Sequence, residues 1–204
     1  MMKRRTAKTK SGSAGAVRPR GCVVWFTGLP SSGKSTLAEA LEQRMLRLGR
    51  NVFVLDGDII RTGLCSDLGF SARDRDENIR RLAEVAALFA KAGVICITAF
   101  ISPYRAARDR ARQIIGRDRF FEIHVATALE VCERRDVKGL YRKARAGAVR
   151  DFTGVSAPYE PPRKPALRIN TAGRSVESCV TDLVALLKKH GMMGANRGAR
   201  GKSA

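Results

Sequence analysis

The chain is poor in the residues that staple or metallate a fold. Its five cysteines, Cys22, Cys65, Cys96, Cys132 and Cys179, are scattered, odd in number and form no C-x-x-C. That argues against a disulfide framework or a zinc site and for a reducing compartment. Cys22, Cys96, Cys132 and Cys179 sit in apolar patterns and read as core. The two histidines, His124 and His190, are isolated; His124 alternates with apolar neighbours and reads as structural. No apolar run approaches a membrane span, and the N-terminus has no hydrophobic signal-peptide core. A cytoplasmic protein without a membrane partner is expected. Acid is missing from both ends. Residues 1–20 hold seven Lys/Arg and residues 191–204 hold three, with no Asp or Glu in either, in a chain of net charge +20. Both ends are rich in Gly, Ser and Ala and read as disordered basic tails around one domain, residues 21–190. The first tail is basic and acid-free like a transit peptide but lacks apolar helical periodicity.

What the chain does have is Gly28-Leu29-Pro30-Ser31-Ser32-Gly33-Lys34-Ser35-Thr36. The segment fits G-x-x-x-x-G-K-[ST] at every fixed position. A β-branched apolar run, residues 22–27, precedes it, and Leu37, Leu41, Met45 and Leu48 follow at helical spacing. Strand, glycine-rich turn and helix start together predict a phosphate-binding loop. Its backbone N–H groups and the helix N-terminus would cradle the phosphates of ATP. Lys34 would reach the outer phosphates and Ser35 would offer a hydroxyl to Mg2+.

The remainder alternates β and α. Buried strands are predicted at 52–55, 94–99, 121–125 and 167–170. Helices are predicted at 77–92, from Pro103 to 115, from Thr127, and after Ser175 as N-cap. Continuous apolar strands between helices imply a parallel sheet covered on both faces, with ligands beyond its carboxyl edge. Asp56-Gly57-Asp58 reads as an acidic turn at that edge. One carboxylate could hold Mg2+ through its water shell and one could accept a proton from an attacking hydroxyl. Arg61, Arg75, Arg80 and Arg81 flank Gly69-Phe70-Ser71 and Asn78. Residues 134–150 carry seven Lys/Arg against one Asp. With Gly139 and Gly147 as hinges, this segment reads as a basic lid.

These blocks together resemble the adenylylsulfate kinase (APS kinase) family. The resemblance runs through the phosphate loop, Asp56-Gly-Asp58 with Arg61, Asp67-Leu-Gly-Phe-Ser71, Asp74-Arg75 and Glu77-Asn-Ile-Arg-Arg81. It continues through Ala99-Phe-Ile-Ser-Pro-Tyr104, Arg135-Asp-Val-Lys-Gly-Leu-Tyr141, Lys143-Ala-Arg-Ala-Gly147, Phe152-Thr-Gly154 and Tyr159-Glu-Pro161. It covers residues 21–190 in order. It implies a three-layer α/β/α P-loop kinase fold with a mainly five-stranded parallel sheet and a basic lid. The implied reaction moves the γ-phosphate of ATP, with Mg2+, to the ribose 3′-hydroxyl of adenosine 5′-phosphosulfate (APS). The product is 3′-phosphoadenosine 5′-phosphosulfate (PAPS), in sulfate activation.

The resemblance places Asp58, Arg61, Phe70, Arg75, Asn78, Ile101, Lys138 and Phe152 around APS, with Phe70 and Phe152 sandwiching the adenine. Ser102 matches a family serine proposed as a phosphoenzyme. Direct in-line transfer needs no such step, and the order Ser102-Pro103 suits a helix N-cap instead. Ile59 stands where the family often has Asn. A homodimer and coupling to a separate ATP sulfurylase stay open. The alternatives are another small-molecule P-loop kinase, or a nucleotide-sensing nucleic-acid-binding protein. Only the basic tails support the latter, and a nucleic-acid partner is not expected.

Overall fold

The computed structural model describes residues 20–193, apart from the side chains of residues 58 and 59. The two tails therefore lie almost wholly outside the described residues. In chain order the elements are β1 (Cys22–Thr27), α1 (Lys34–Arg47), β2 (Val52–Asp56), α2 (Gly57–Thr62), α3 (Ala72–Lys91) and β3 (Ile95–Ala99). They continue as α4 (Arg105–Ile115), β4 (Phe120–Val125), α5 (Leu129–Arg135), α6 (Leu140–Arg145), β5 (Leu167–Ile169) and α7 (Val176–Lys189). The five strands form one sheet of order β2-β3-β1-β4-β5, and every pairing is parallel.

Strand alternation sets the two faces. Cys22, Val24 and Phe26 of β1 point to α1 and α7, meeting Leu37, Leu41, Val180 and Leu183. Val23 and Trp25 point to α3 and α4, meeting Leu82, Ala86 and Ala107. The three central strands, β1, β3 and β4, are buried at every residue. This is the expected three-layer α/β/α sandwich.

Several local expectations change. β2 is an edge strand, not a buried one; Phe53 is 46% exposed and stacks on Phe89 of α3 at 4.8 Å. The acidic turn is a helix start, since α2 begins at Gly57. Helix α3 begins five residues earlier than predicted, because Ser71 caps it by accepting from the Asp74 N–H. Leu48 is the exposed C-cap of α1, not part of its buried face. Ser175 caps α7 as expected. Helix α4 is capped by Tyr104, so Ser102 is not its N-cap.

Candidate functional site

The carboxyl ends of β1, β2 and β3 open onto one edge, and the phosphate loop lies across it. Gly28 passes so close to β4 that a Cβ there would sit 2.6 Å from the Val125 carbonyl oxygen. Gly33 has φ of +101°, a conformation only glycine adopts freely. The loop thus needs glycine at both fixed positions. Helix α1 starts at Lys34 with no side-chain cap and no acid in its first turn. Elsewhere α3 and α7 close their N-termini with serines. The N–H groups of α1 are left for an anion, where the helix dipole favours one.

Lys34 is buried, and its Nζ donates to the carbonyls of Gly28 at 3.0 Å and Leu29 at 2.7 Å. Burial pushes its pKa down from 10.5 to about 8, opposed weakly by Cys132. The ammonium is folded back into the loop it would leave to meet phosphate. Ser35, exposed at the start of α1, shares a groove of about 410 Å³ with Asp56 at the end of β2. A hydroxyl and a carboxylate are hard oxygen donors of the kind Mg2+ takes beside phosphate oxygens, so the residues fit the ion. Among the described residues no cluster of three or more His, Cys, Asp or Glu makes an all-protein metal cage.

Three residues not singled out as site residues from sequence hold the loop from outside. The Ser32 carbonyl accepts from Thr127 at 3.1 Å and from Thr171 at 2.9 Å. Arg135 donates to the Thr171 hydroxyl and carbonyl at 2.8 and 3.1 Å. Thr171, just past β5 at the carboxyl edge, could have been flagged by that position. The predicted helix start at Thr127 is instead this anchor, with α5 beginning at Leu129.

Several of the residues that the family resemblance assigns to the acceptor gather around α3. The Arg61 guanidinium lies 4.2 Å from the centre of the Phe70 ring, which is 67% exposed. Arg75 donates to the carbonyls of Phe70 at 2.9 Å and Asp151 at 2.6 Å and to the Thr153 hydroxyl at 3.1 Å. It thereby ties the Phe70 loop to the Phe152 loop. Asn78 is buried with its Oδ1 unpartnered, an acceptor that a bound ligand could use. Arg80 and Arg81 instead grip Glu77, and Arg81 also grips Asp67. They are structural and hold Glu77 well below the usual carboxylate range, at about 2.

The basic segment 134–150 is docked. Tyr141 and Phe152 meet edge to face at 5.0 Å, packed with Cys132, Ala144 and Leu29. Tyr141 donates to the Pro30 carbonyl at 3.1 Å. Lys138 lies on the exposed turn between α5 and α6. Phe152 is only 9% exposed, unlike its expected partner Phe70. Ile101 sits beside the loop, its carbonyl accepting from the Gly28 N–H at 3.4 Å. Ser102 is 2% exposed, with φ of +44°, and its Oγ accepts from Trp25 Nε1 at 3.2 Å. His124 is buried against Tyr159 and held neutral, its pKa lowered to about 4 by burial and by Arg168 and Arg108.

Known proteins are similar in sequence and fold. A family model described as adenylylsulphate kinase matches residues 20–170. An adenylyl-sulfate kinase of Prochlorococcus marinus is 54% identical over 165 residues, covering 81% of this chain and 82% of that protein. The structure of the Mycobacterium tuberculosis APS kinase CysC in complex with AMPPNP and APS superposes with a TM-score of 0.80. It is 47% identical and spans 83% of this chain and 99% of its own. A hexameric APS kinase from Thiobacillus denitrificans has a TM-score of 0.65 at 36% identity, over 86% of this chain and 30% of its own.

Proposed function

The chain belongs to the adenylylsulfate kinase family, and from that premise we infer that it phosphorylates the ribose 3′-hydroxyl of APS with ATP. The products are PAPS and ADP, and the route is direct in-line transfer. One observation carries the reading: an uncapped α1 with a buried Lys34 at its start stands beside Asp56, and an exposed Phe70 backed by Arg61 lies on the acceptor side. The relative that binds both AMPPNP and APS supports it.

Gly28 to Thr36 cradle the triphosphate through backbone N–H groups. Lys34 turns from the Gly28 and Leu29 carbonyls to the outer phosphates and recovers its full charge there. Ser35 would hold Mg2+, with one carboxylate of Asp56-Gly57-Asp58, assigned to Asp58, helping through its water shell. When bound, the ion neutralises charge on the β- and γ-phosphates. Arg61, Arg75 and Lys138 meet the phosphosulfate, Asn78 and Ile101 the nucleoside, and Phe70 the adenine face, while Phe152 packs in the Tyr141 core beside the phosphate loop. The 3′-oxygen attacks the γ-phosphorus as the bond to the β,γ-bridging oxygen breaks. The hydroxyl proton passes to the other carboxylate, assigned to Asp56. Arginine suits the phosphosulfate oxygens because its planar fork donates in pairs. Five buried free thiols fit work in the cytoplasm. Among the described residues no helix is long and apolar enough to cross a membrane.

The decisive assay supplies ATP, Mg2+ and APS and identifies the product. PAPS and ADP in equal amounts are expected; ATP turnover that APS does not stimulate would overturn the reading. Ser102→Ala will retain activity within about tenfold, the loss of one hydrogen bond, and ATP alone will not build up phosphoserine. Recovery of a kinetically competent phosphoserine at 102 would replace direct transfer with a two-step route. We also assign the catalytic domain to residues 21–190. Removing residues 1–20 will then leave steady-state turnover within about twofold, whereas a large rise in KM would bring the tail into substrate capture.

A further inference from the structure

Arg108, on α4, is 1% exposed and ranks with Trp25 among the bulkiest fully buried side chains. A buried charge persists only when it is paired and hydrogen-bonded. Arg108 uses all three sides of its fork. Nε donates to Glu122 Oε1 of β4 at 2.7 Å, Nη1 to the Ser102 carbonyl at 2.6 Å, and Nη2 to the Glu160 carbonyl at 2.6 Å. Two of the three partners are backbone groups on separate loops. One loop leaves β3; the other returns from the Phe152 turn toward β5.

Those loops are also joined to each other. The Glu160 N–H donates to the Pro103 carbonyl at 2.9 Å, and the Glu160 carboxylate accepts from the Arg105 N–H at 2.8 Å. The first loop is fixed to the phosphate loop as well. Thr27 Oγ1 donates to the Ile101 carbonyl at 2.7 Å, and the same carbonyl takes the Gly28 N–H. Between these anchors Ser102 adopts φ of +44°, unusual for a residue other than glycine. Such a conformation persists only where its surroundings over-determine it. The Arg108 bond to its carbonyl is the shortest of its restraints.

We propose that Arg108 is a positioning residue for the acceptor nucleotide. By holding the Ser102 and Glu160 carbonyls it sets Ile101 and the end of the 152–161 segment against the phosphate loop. The proposal rests on the reading above that Ile101 and Phe70 face APS. The ATP cradle is held by a different set, Thr127, Thr171 and Arg135. The loop that Arg108 holds meets the cradle at Gly28 through the 3.4 Å bond to Ile101, away from the clamp on Ser32, so disturbing Arg108 weighs more on the acceptor half than on ATP. Lysine cannot substitute, because its three donors share one nitrogen and cannot reach Glu122 and the two carbonyls that the guanidinium meets with three separate nitrogens.

The test is Arg108→Lys, which keeps the countercharge to Glu122. The KM for APS will rise about tenfold or more, the expected loss for hydrogen bonds to a charged donor. The KM for ATP will stay within about twofold and the melting temperature near that of the parent. The emission of Trp25, the single tryptophan, will shift as the Ser102 hydroxyl it donates to moves. An unchanged KM for APS in the folded variant overturns the proposal, as does a parallel rise in both KM values with a lowered melting temperature. The double variant Arg108→Gln/Glu122→Gln, which removes both charges of the buried pair and with them the bonds to the two carbonyls, will move the KM for APS in the same direction. It decides the matter if the lysine variant does not fold: no rise then overturns the proposal. Phe70→Ala, measured alongside, separates the two levels. If it too leaves the KM for APS unchanged, the acceptor site itself is misassigned; if it alone raises that KM, only the role of Arg108 falls.

Discussion

Lys34→Ala will lower kcat about a thousandfold, the scale of losing a preorganised group that stabilises transition-state charge. Little covalent chemistry is asked of a protein in phosphoryl transfer, so charge placement carries most of the rate. The fold will survive, because the change removes a charge that is costly to bury along with its bonds to the Gly28 and Leu29 carbonyls. Circular dichroism checks the fold, and PAPS formation checks the rate. Near-normal turnover in a folded alanine variant would contradict the kinase mechanism.

The same lysine sets a pH dependence. Burial lowers its pKa from 10.5 to about 8, so in the free enzyme it loses its proton above pH 8. kcat/KM for ATP will fall there by about tenfold per pH unit, while kcat will hold to higher pH because bound phosphates restore the charge. Stability moves the other way. Between pH 8 and 10.5 the unfolded chain binds the proton that the folded chain has released. Stability therefore rises with pH across that window, by about 3 kcal/mol at most from this group. Lys34→Ala removes both slopes, and paired pH profiles of kcat/KM and of denaturant midpoint measure them.

The fold's centre was legible because its signals are local. β4 carries Glu122 and His124 between apolar residues and buries Glu122 against Arg108 and Arg112, whereas β1 and β3 are nearly continuous apolar runs, as strands buried on both faces tend to be. β2 has the same composition but lies at the sheet edge, where Phe53 is covered by Phe89 rather than by another strand. Periodicity reports burial demand, not strand order. The phosphate loop was legible for a similar reason, since its glycines and lysine act within eight residues. Its outer clamp was not. Thr127, Thr171 and Arg135 lie 95, 139 and 103 positions from Ser32, and only the sheet topology brings them to it. Ser102-Pro103 looked like a cap because a short-range rule fits it, but a long-range bond from Trp25 takes the serine hydroxyl, and Arg108, six residues on, takes its carbonyl.

Phe152→Ala and Phe70→Ala will fail in different ways, although from sequence both are aromatics assigned to one adenine. Phe152 is 9% exposed and closes a small core with Tyr141, Cys132, Ala144 and Leu29. Truncating a buried Phe costs about 3–5 kcal/mol, so the melting temperature should drop by roughly 10 °C for a domain of this size. The cavity would open beneath Leu29, and Tyr141 would lose the edge contact that steadies its bond to the Pro30 carbonyl. Both belong to the phosphate loop, so the KM values for ATP and APS will rise together. Phe70 is 67% exposed and rests on Arg61. Its loss removes little packing, and the melting temperature will change by no more than about 2 °C. A base–aromatic stack is worth about 1–3 kcal/mol, so the KM for APS alone will rise about tenfold. Thermal melts with both KM values, taken on the two variants side by side, distinguish the cases. A Phe152→Ala protein that melts normally and loses only APS would place its ring on the nucleotide instead of in the core.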